Sequence, residues 1–205
     1  MALDLKELLD PKHAALVTQE LQRGVVGDLS ALPELARAAR PVLPRVAALA
    51  AAARAAGVPV IHCTAERRAD GLGANRNARI FGYMAKAKAP LLPGSDAAAI
   101  VPELPVAEGD LVLPRLHGLS PFQGTELDFV LRNQGVRTLV CTGVSVNVAI
   151  TNLALDAVNA GYQVVIPRDA VAGFPAEYVE MVFQHTLGAV ATLTDCAAVA
   201  KAWSA

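Results

Sequence analysis

Charged and imidazole side chains follow two of the strands predicted from the sequence. Glu20 ends the first strand, predicted over residues 14–21, and Arg115 and His117 end or follow a later strand, predicted over residues 110–116. A carboxyl group can donate or accept a proton, and an arginine can hold an anion but keeps its own proton. Together these residues indicate proton transfer to or from a small anionic substrate. The alternative interpretation is a solvated carboxylate, a surface cation and a packing histidine.

A turn that contains glycine links another predicted strand to a helix. The segment T-G-V-S-V-N covers residues 142–147, and Ser145 and Asn147 lie where the helix is expected to begin. Backbone N–H groups at such a position can bind an anion or a carbonyl oxygen. Ser145 and Asn147 are therefore candidate substrate-binding residues, although every turn between a strand and a helix shares these features.

Residues 66–79 fit neither a strand nor a helix, and they are rich in arginine. Arg67 and Arg79 are candidates to bind a substrate carboxylate, because a guanidinium group can hold a carboxylate through two parallel hydrogen bonds. A solvated cluster of charges is the alternative. Phe122, in the turn-forming segment 120–125, completes the set of candidate substrate-binding residues.

The elements that must position these residues alternate along the chain. Short runs rich in β-branched residues predict strands over 14–21, 58–64, 110–116, 138–144, 163–167 and 191–194. Segments rich in alanine and leucine predict helices over 45–56, 125–134, 148–160 and 176–187. This alternation predicts an α/β fold with a doubly wound parallel sheet and helices on both faces. In such a fold, chemistry gathers beyond the carboxyl ends of the strands, where Glu20 and Arg115 are expected.

Composition excludes several classes of protein. The chain has 205 residues, of which 54% are hydrophobic and 18% are charged, and its formal net charge is −1. These values predict one folded domain over residues 1–205 and argue against disorder, nucleic-acid binding and attraction to an anionic membrane. No apolar run approaches the ~18 residues of a membrane span, and the N-terminal segment lacks the pattern of a signal peptide. We therefore expect a cytoplasmic protein.

Metal and cofactor motifs are missing from the sequence. The four histidines show no pair at metal-ligand spacing, the three cysteines are far apart, and neither glycine-rich nucleotide-binding loop occurs. The sequence thus predicts no metal, no cofactor and a small-molecule substrate as the partner.

Several segments, in this order, resemble the isochorismatase-like superfamily, the cysteine hydrolases that include nicotinamidases and ureidoacrylate amidohydrolases. The segment S-P-F-Q-G-T-E-L at 120–127 is similar to the S-x-F-x-G-T-x-L motif of that family. T-G-V-S at 142–145 and G-Y-Q-V at 161–164 extend the resemblance, which runs from about residue 14 to residue 194. It implies a six-stranded parallel sheet in a Rossmann-like arrangement and a homodimer or homotetramer. It also implies a cis peptide bond between Val144 and Ser145.

The catalytic positions of the family differ in this chain. Its hydrolases use an aspartate at the end of the first strand, a lysine before the S-x-F motif and a cysteine at the start of the helix after the G-V turn. The resemblance places Glu20 at the aspartate position, Arg115 nearest the lysine position and Ala149 at the cysteine position. A methyl group cannot form the thioester of a cysteine hydrolase, so the sequence predicts a divergent member without that nucleophile.

Three functions follow from these differences. One branch of the family hydrolyses a vinyl ether without a cysteine, and there Glu20 would be the general acid for an isochorismate-type substrate. A second possibility is an inactive member that binds a small molecule or a protein partner. The third is an amidase in which His117 acts with Ser145 or Ser120 as the nucleophile.

Overall fold

A parallel sheet forms the centre of the protein, and its strands are the β-branched runs of the sequence. The computed structural model describes residues 4–204. The strands are β1 (Ala14–Gln19), β2 (Val60–Ala65), β3 (Leu111–Arg115), β4 (Thr138–Val144), β5 (Gln163–Pro167), β6 (Val171–Ala172) and β7 (Thr192–Thr194). Their order is β3-β2-β1-β4-β5-β7, with β6 paired to β4, and these strands pair in parallel. All six predicted strands are confirmed. The seventh, β6, has two residues, too few to leave a pattern in the sequence.

Helices connect the strands, as parallel pairing requires. They are α1 (Leu5–Leu8), α2 (Arg23–Val26), α3 (Pro33–Ala39), α4 (Leu43–Ala55), α5 (Arg79–Met84), α6 (Leu127–Asn133), α7 (Thr151–Asn159), α8 (Ala176–Val182), α9 (Gly188–Val190) and α10 (Cys196–Trp203). The four predicted helices are confirmed with small shifts at their ends. Two of them include a π-helical turn, at Val146–Ile150 before α7 and at Phe183–Leu187 after α8. Periodicity alone does not distinguish such turns from α-helix.

The helices bury apolar side chains on both faces of the sheet. On one face, Leu49 of α4 and Trp203 of α10 belong to a core that also contains Leu16 of β1. On the other face, Leu127 of α6 and Leu153 of α7 pack in a second core. The doubly wound α/β fold predicted from the sequence is therefore confirmed.

Gly143 brings the carboxyl ends of β1 and β4 close together. Its φ is +107°, and a Cβ atom at this position would lie 2.2 Å from the carbonyl oxygen of Gln19. Any side chain would therefore push the two strands apart, and glycine also tolerates the positive φ. The residue after Gln19 is Glu20, so this contact fixes the place where the candidate carboxylate leaves the sheet.

The elements within residues 4–204 include no helix that is both long and apolar enough to cross a membrane.

Candidate active site

Glu20 and Arg115 meet at the carboxyl end of the sheet. They lie at the ends of β1 and β3, on either side of β2, and the Nη2 of Arg115 donates a hydrogen bond to Oε1 of Glu20. Only 5% of the Arg115 side chain and 15% of the Glu20 side chain are exposed. A nearly buried arginine is stable here because the carboxylate neutralises it.

The backbone of Glu20 is left-handed. Its φ is +53°, the one positive φ of a non-glycine residue among residues 4–204. Such a conformation costs about 1–2 kcal/mol for an L-residue and is concentrated at functional sites. The side chain is further held by Gln19, whose Nε2 donates to Oε1 of Glu20 at 2.9 Å.

The guanidinium of Arg115 is only partly satisfied by Glu20. Its Nε and Nη1 atoms are buried and have no hydrogen-bond partner in the described part of the protein. Buried polar atoms of this kind are normally paired, so these two donors are suited to hold an oxygen of a bound ligand.

A cavity of about 540 Å³ opens beside this pair. Glu20 and Arg115 line it together with Arg67, His117 and other residues of the loops that follow β2 and β3. Its size lies within the range of sites that enclose small organic molecules. Two carboxylates, those of Glu20 and Glu66, and three arginines, including Arg76, therefore line one cavity.

The turn after β4 forms another wall of the cavity through Ser145, Val148 and Ala149. The Val144–Ser145 peptide bond is cis, as the resemblance implied. Val148 and Ala149 lie at the start of the following helix, and Ala149 offers only a methyl group to the cavity. This wall can enclose a substrate but supplies no nucleophilic side chain at Ala149.

The three cysteines are free and lie outside the lining of the cavity. Cys63 is on β2 between Glu20 and Arg115, and burial raises the pKa of its thiol to about 12, although the charge of Arg115 acts in the opposite direction. Burial also raises the pKa of Cys141, and it raises that of Cys196 to about 12. A thiol with such a pKa is protonated at neutral pH and is a poor nucleophile.

Comparison with known proteins agrees with the fold and with the motifs. The model of the isochorismatase domain matches residues 14–198. The chain belongs to the isochorismatase family.

Three members of the family are similar to this chain over different lengths. Ureidoacrylate amidohydrolase RutB of Pseudomonas syringae pv. syringae (strain B728a) is 30% identical over 187 residues, which are 84% of this chain and 76% of RutB. The uncharacterized isochorismatase family protein YwoC of Bacillus subtilis (strain 168) is 35% identical over 83 residues, 40% of this chain and 43% of YwoC. The crystal structure of an isochorismatase family protein from Desulfovibrio vulgaris subsp. vulgaris str. Hildenborough superposes with a TM-score of 0.81 and 29% identity, covering 94% of this chain and 98% of that one.

Not all of the predicted site residues of this isochorismatase-family protein meet at the cavity. The structure brings together Glu20, Arg67, Arg115, His117, Ser145 and Ala149. Phe122 is instead buried in the core, with its ring centroid 5.9 Å from that of Tyr162. Arg79 is exposed at the start of α5, and Asn147 lies against Gly173 with a buried, unpaired Oδ1. None of these three residues lines the cavity.

The serine–histidine alternative has no geometric support in the described residues. Nε2 of His117 pairs with the carbonyl oxygen of Gly124 at 3.3 Å, and no hydrogen bond joins this histidine to a serine within residues 4–204. Ser120 donates to Asp156 and accepts from the backbone N–H of Phe122. His117 is thus bonded within its own loop, and Ser120 is bonded to its own loop and to Asp156 of α7.

Sequence reasoning missed the apolar side of the cavity. The cavity is lined by Leu32 and Leu35 on one wall and by Phe81 on another. These residues lie in or next to short helices, in segments without a long apolar repeat. Gln22 was also missed. Its side chain is fully buried and bonds the carbonyl oxygens of Ala65 and Ala98 at 2.9 Å each, so it holds the end of β2 beside the site.

A second group of buried charges lies away from the cavity. His62 of β2 bonds Thr18 at 2.7 Å and Asp110 at 3.1 Å, and Asp110 also accepts two hydrogen bonds from Arg54. Burial alone would raise the pKa of Asp110, but hydrogen bonds from Arg54, the N–H of Ala107 and His62 lower it to about 2. The side chains of His62 and Asp110 are buried and that of Arg54 is partly exposed, and their contacts link β1, β2 and α4.

Within residues 4–204, no three histidine, cysteine or acidic side chains are grouped so that they could hold a metal ion.

Proposed function

We propose that this isochorismatase-family hydrolase cleaves a small carboxylated substrate without a cysteine nucleophile. The observation that carries the proposal is the Glu20–Arg115 pair at a cavity that Ala149 also lines, and the resemblance aligns Ala149 with the cysteine of the family. The high pKa values of the buried thiols support it, since neither Cys63 nor Cys196 would supply a thiolate at neutral pH.

The reaction proposed is hydrolysis of a vinyl ether of the isochorismate type, which requires a proton donor and water but no covalent intermediate. Protonated Glu20 gives its proton to the terminal carbon of the enolpyruvyl group and leaves an oxocarbenium ion. Water adds to the oxygen-bearing carbon of this ion and returns a proton to Glu20. The resulting hemiketal breaks its bond to the alkoxy oxygen, which takes the hydroxyl proton, and pyruvate and an alcohol are released. Arg115 stabilises the carboxylate that forms when Glu20 loses its proton.

A second reaction is favoured by the same contact. Arg115 donates a hydrogen bond to the carboxylate of Glu20, and a carboxylate can take a proton from water as the water attacks an acyl carbon. RutB, which is similar over most of this chain, is an amidohydrolase. On this mechanism Glu20 is a general base, and the unpaired donors of Arg115 hold the oxyanion.

Product analysis distinguishes the two reactions. The purified protein is incubated with isochorismate or with ureidoacrylate, and pyruvate and ammonia are measured. Pyruvate from isochorismate that is lost in Glu20→Gln supports Glu20 as the acid. Ammonia from ureidoacrylate that is lost in Glu20→Gln supports Glu20 as the base. If neither compound gives its product, the result favours an inactive member that binds a small molecule or a protein.

The resemblance to the family supports a homodimer or homotetramer, and the composition supports a cytoplasmic protein with no nucleic-acid or membrane partner. Sedimentation equilibrium of the purified protein measures the mass of the assembly, and a monomer at micromolar concentration would contradict this part of the proposal.

A further inference from the structure

Helix α5 is apolar but buries none of its residues. Its sequence is R-I-F-G-Y-M, and Ile80 is 37% exposed and Tyr83 61% exposed. Its backbone hydrogen bonds are local, from Phe81 to Ala78 and from Ala85 to Phe81. A helix of six residues is marginal without packing, so a helix with this composition is expected to have something to pack against.

The apolar side chains of α5 face the cavity next to Glu20. Ile80, Phe81, Tyr83 and Met84 line it, and Leu32 and Leu35 of the α3 region line it as well. The space between α5 and α3 is thus an apolar compartment of the same cavity that holds the Glu20–Arg115 pair.

Two arginines in this cavity are free of protein partners. Arg67 and Arg76 line it, and neither side chain makes a hydrogen bond or an ion pair within residues 4–204. Both guanidinium groups lie over Gly71, since a Cβ atom there would be 3.3 Å from Nη2 of Arg67 and 3.7 Å from Nη2 of Arg76. Glu66 also lines the cavity but forms no ion pair with either arginine. Two neighbouring guanidinium groups without a counter-charge are suited to a carboxylate.

The segment that follows β2 is bonded to neighbouring loops at Arg67 and at Asn75. The N–H of Arg67 bonds the carbonyl oxygen of Leu91 at 2.9 Å, and Oδ1 of Asn75 accepts from the N–H of Gly118 at 2.8 Å. Beyond Asn75, the backbone hydrogen bonds of residues 78–87 stay within the segment. Within residues 4–204, α5 is thus tied to the rest of the protein by the packing of Met84 against the core rather than by backbone hydrogen bonds, which suits a lid over a ligand.

We infer that the substrate is an organic carboxylate with a bulky apolar body, and that α5 closes over this body as a lid. Arg67 and Arg76 hold the carboxylate, and the apolar body lies between Phe81 and the leucines of the α3 region. The inference rests on the proposed function for the placing of the reaction at this cavity. It makes Phe81 a specificity-determining residue and predicts that a carboxylate with an apolar ring binds more tightly than a short unbranched carboxylate.

Binding of a matched pair of carboxylates tests the inference. The probes are butanoate and 4-phenylbutanoate, and their affinities are measured by isothermal titration calorimetry with the full-length protein. The phenyl group is expected to raise the affinity at least tenfold. Phe81→Ala is expected to reduce that advantage to about twofold, because the ring loses its contact with the lid. The double variant Arg67→Gln/Arg76→Gln is expected to weaken both probes about tenfold.

Two control variants separate the ligand preference from the catalytic role of Glu20. Phe129→Ala removes an exposed aromatic side chain outside the cavity and is expected to leave both affinities unchanged. Glu20→Gln is expected to keep the preference for the phenyl probe. A wild-type protein that shows this preference but no hydrolase activity would count against the proposed function alone. Equal affinity for the two probes, or a preference that survives Phe81→Ala, would overturn the inference. So would a Phe81→Ala variant that changes the oligomeric mass but not the binding, since α5 would then cover a second copy of the chain.

Discussion

Arg115 donates a hydrogen bond to Glu20 across the end of β2, although the two residues are 95 positions apart in the sequence. Neither side chain is free to turn to bulk solvent, because 5% of the arginine and 15% of the glutamate side chain are exposed. The pair joins two strands that do not touch each other. Its removal should therefore affect stability and catalysis together, and a double-mutant cycle can separate these effects.

Replacing Arg115 by Met is expected to lower the free energy of unfolding by about 2–4 kcal/mol, because it leaves a partly buried carboxylate without its cation. Adding Glu20→Gln to Arg115→Met should recover about 1–3 kcal/mol of this loss, since no unpaired charge remains. Urea unfolding of the wild type, both single variants and the double variant measures the coupling. Additive effects of the two substitutions would mean that the pair contributes nothing to stability.

The left-handed backbone of Glu20 gives a second prediction. Glu20→Gly and Glu20→Ala both remove the carboxylate, but glycine adopts a φ of +53° without strain. We expect the glycine variant to be more stable than the alanine variant by about 1 kcal/mol, with both equally inactive. Thermal or urea unfolding checks the difference. An alanine variant as stable as the glycine variant would show that this backbone is not strained.

Gly143 should tolerate no side chain. Gly143→Ala places a Cβ atom 2.2 Å from the backbone of Gln19 and is expected to destabilise the protein by about 3 kcal/mol or more. Gly57→Ala is the matched control, since Gly57 also has a positive φ of +73° but meets nothing within 4 Å. Its cost should be about 1 kcal/mol, due to the backbone alone. Equal losses in the two variants would rule out the close approach of β1 and β4.

The buried cluster of His62, Asp110 and Arg54 predicts loss of stability in acid. Burial lowers the pKa of His62 below 6.5, against the opposing effect of Asp110, and the pKa of Asp110 is lowered to about 2. In both cases the unfolded chain binds the proton more tightly than the folded protein does. The stabilisation is therefore complete above the pKa of the unfolded chain and is lost as the pH falls from that value to the pKa of the folded protein. The free energy of unfolding should therefore decrease below about pH 6.5 for His62 and again below about pH 4 for Asp110.

Asp110→Asn tests the lower part of this pH range. We expect the variant to be less stable at neutral pH by about 2 kcal/mol and to lose less stability than the wild type between about pH 4 and pH 2. The measurement is urea unfolding at a series of pH values, with Glu126→Gln, an exposed residue, as the control. Parallel curves for the wild type and Asp110→Asn would contradict the lowered pKa.

The sequence predicted the sheet well because strands buried on both faces are continuous apolar runs. The burial patterns of β1, β2 and β4 are uniform, and these strands were found within one or two residues of their ends. β3 is an edge strand that remains mostly exposed and was still recognised from its short apolar run. In contrast, the two-residue strand β6 and the π-helical turn at Val146–Ile150 leave no periodic signal.

The site was only partly predictable for a different reason. Glu20 and Arg115 were found because carboxyl ends of parallel strands meet at one edge of a sheet. Their direct contact, the left-handed φ of Glu20 and the burial of Phe122 depend on tertiary packing, which one sequence does not specify. The apolar wall formed by Leu32, Leu35 and Phe81 comes from short helices in loop segments, where composition is a weak guide to which side chains meet.

The central claim is that Glu20 moves the proton in a hydrolysis that uses no cysteine. The most direct measurement is pyruvate release from isochorismate by the wild type, Glu20→Gln and the control Glu126→Gln, each before and after treatment with iodoacetamide. We expect Glu20→Gln to lower the rate by about 10²–10⁴-fold, the usual contribution of a general acid, and both Glu126→Gln and alkylation to change it less than twofold. Release that survives in Glu20→Gln, or that is abolished when a single cysteine is alkylated, would contradict the account.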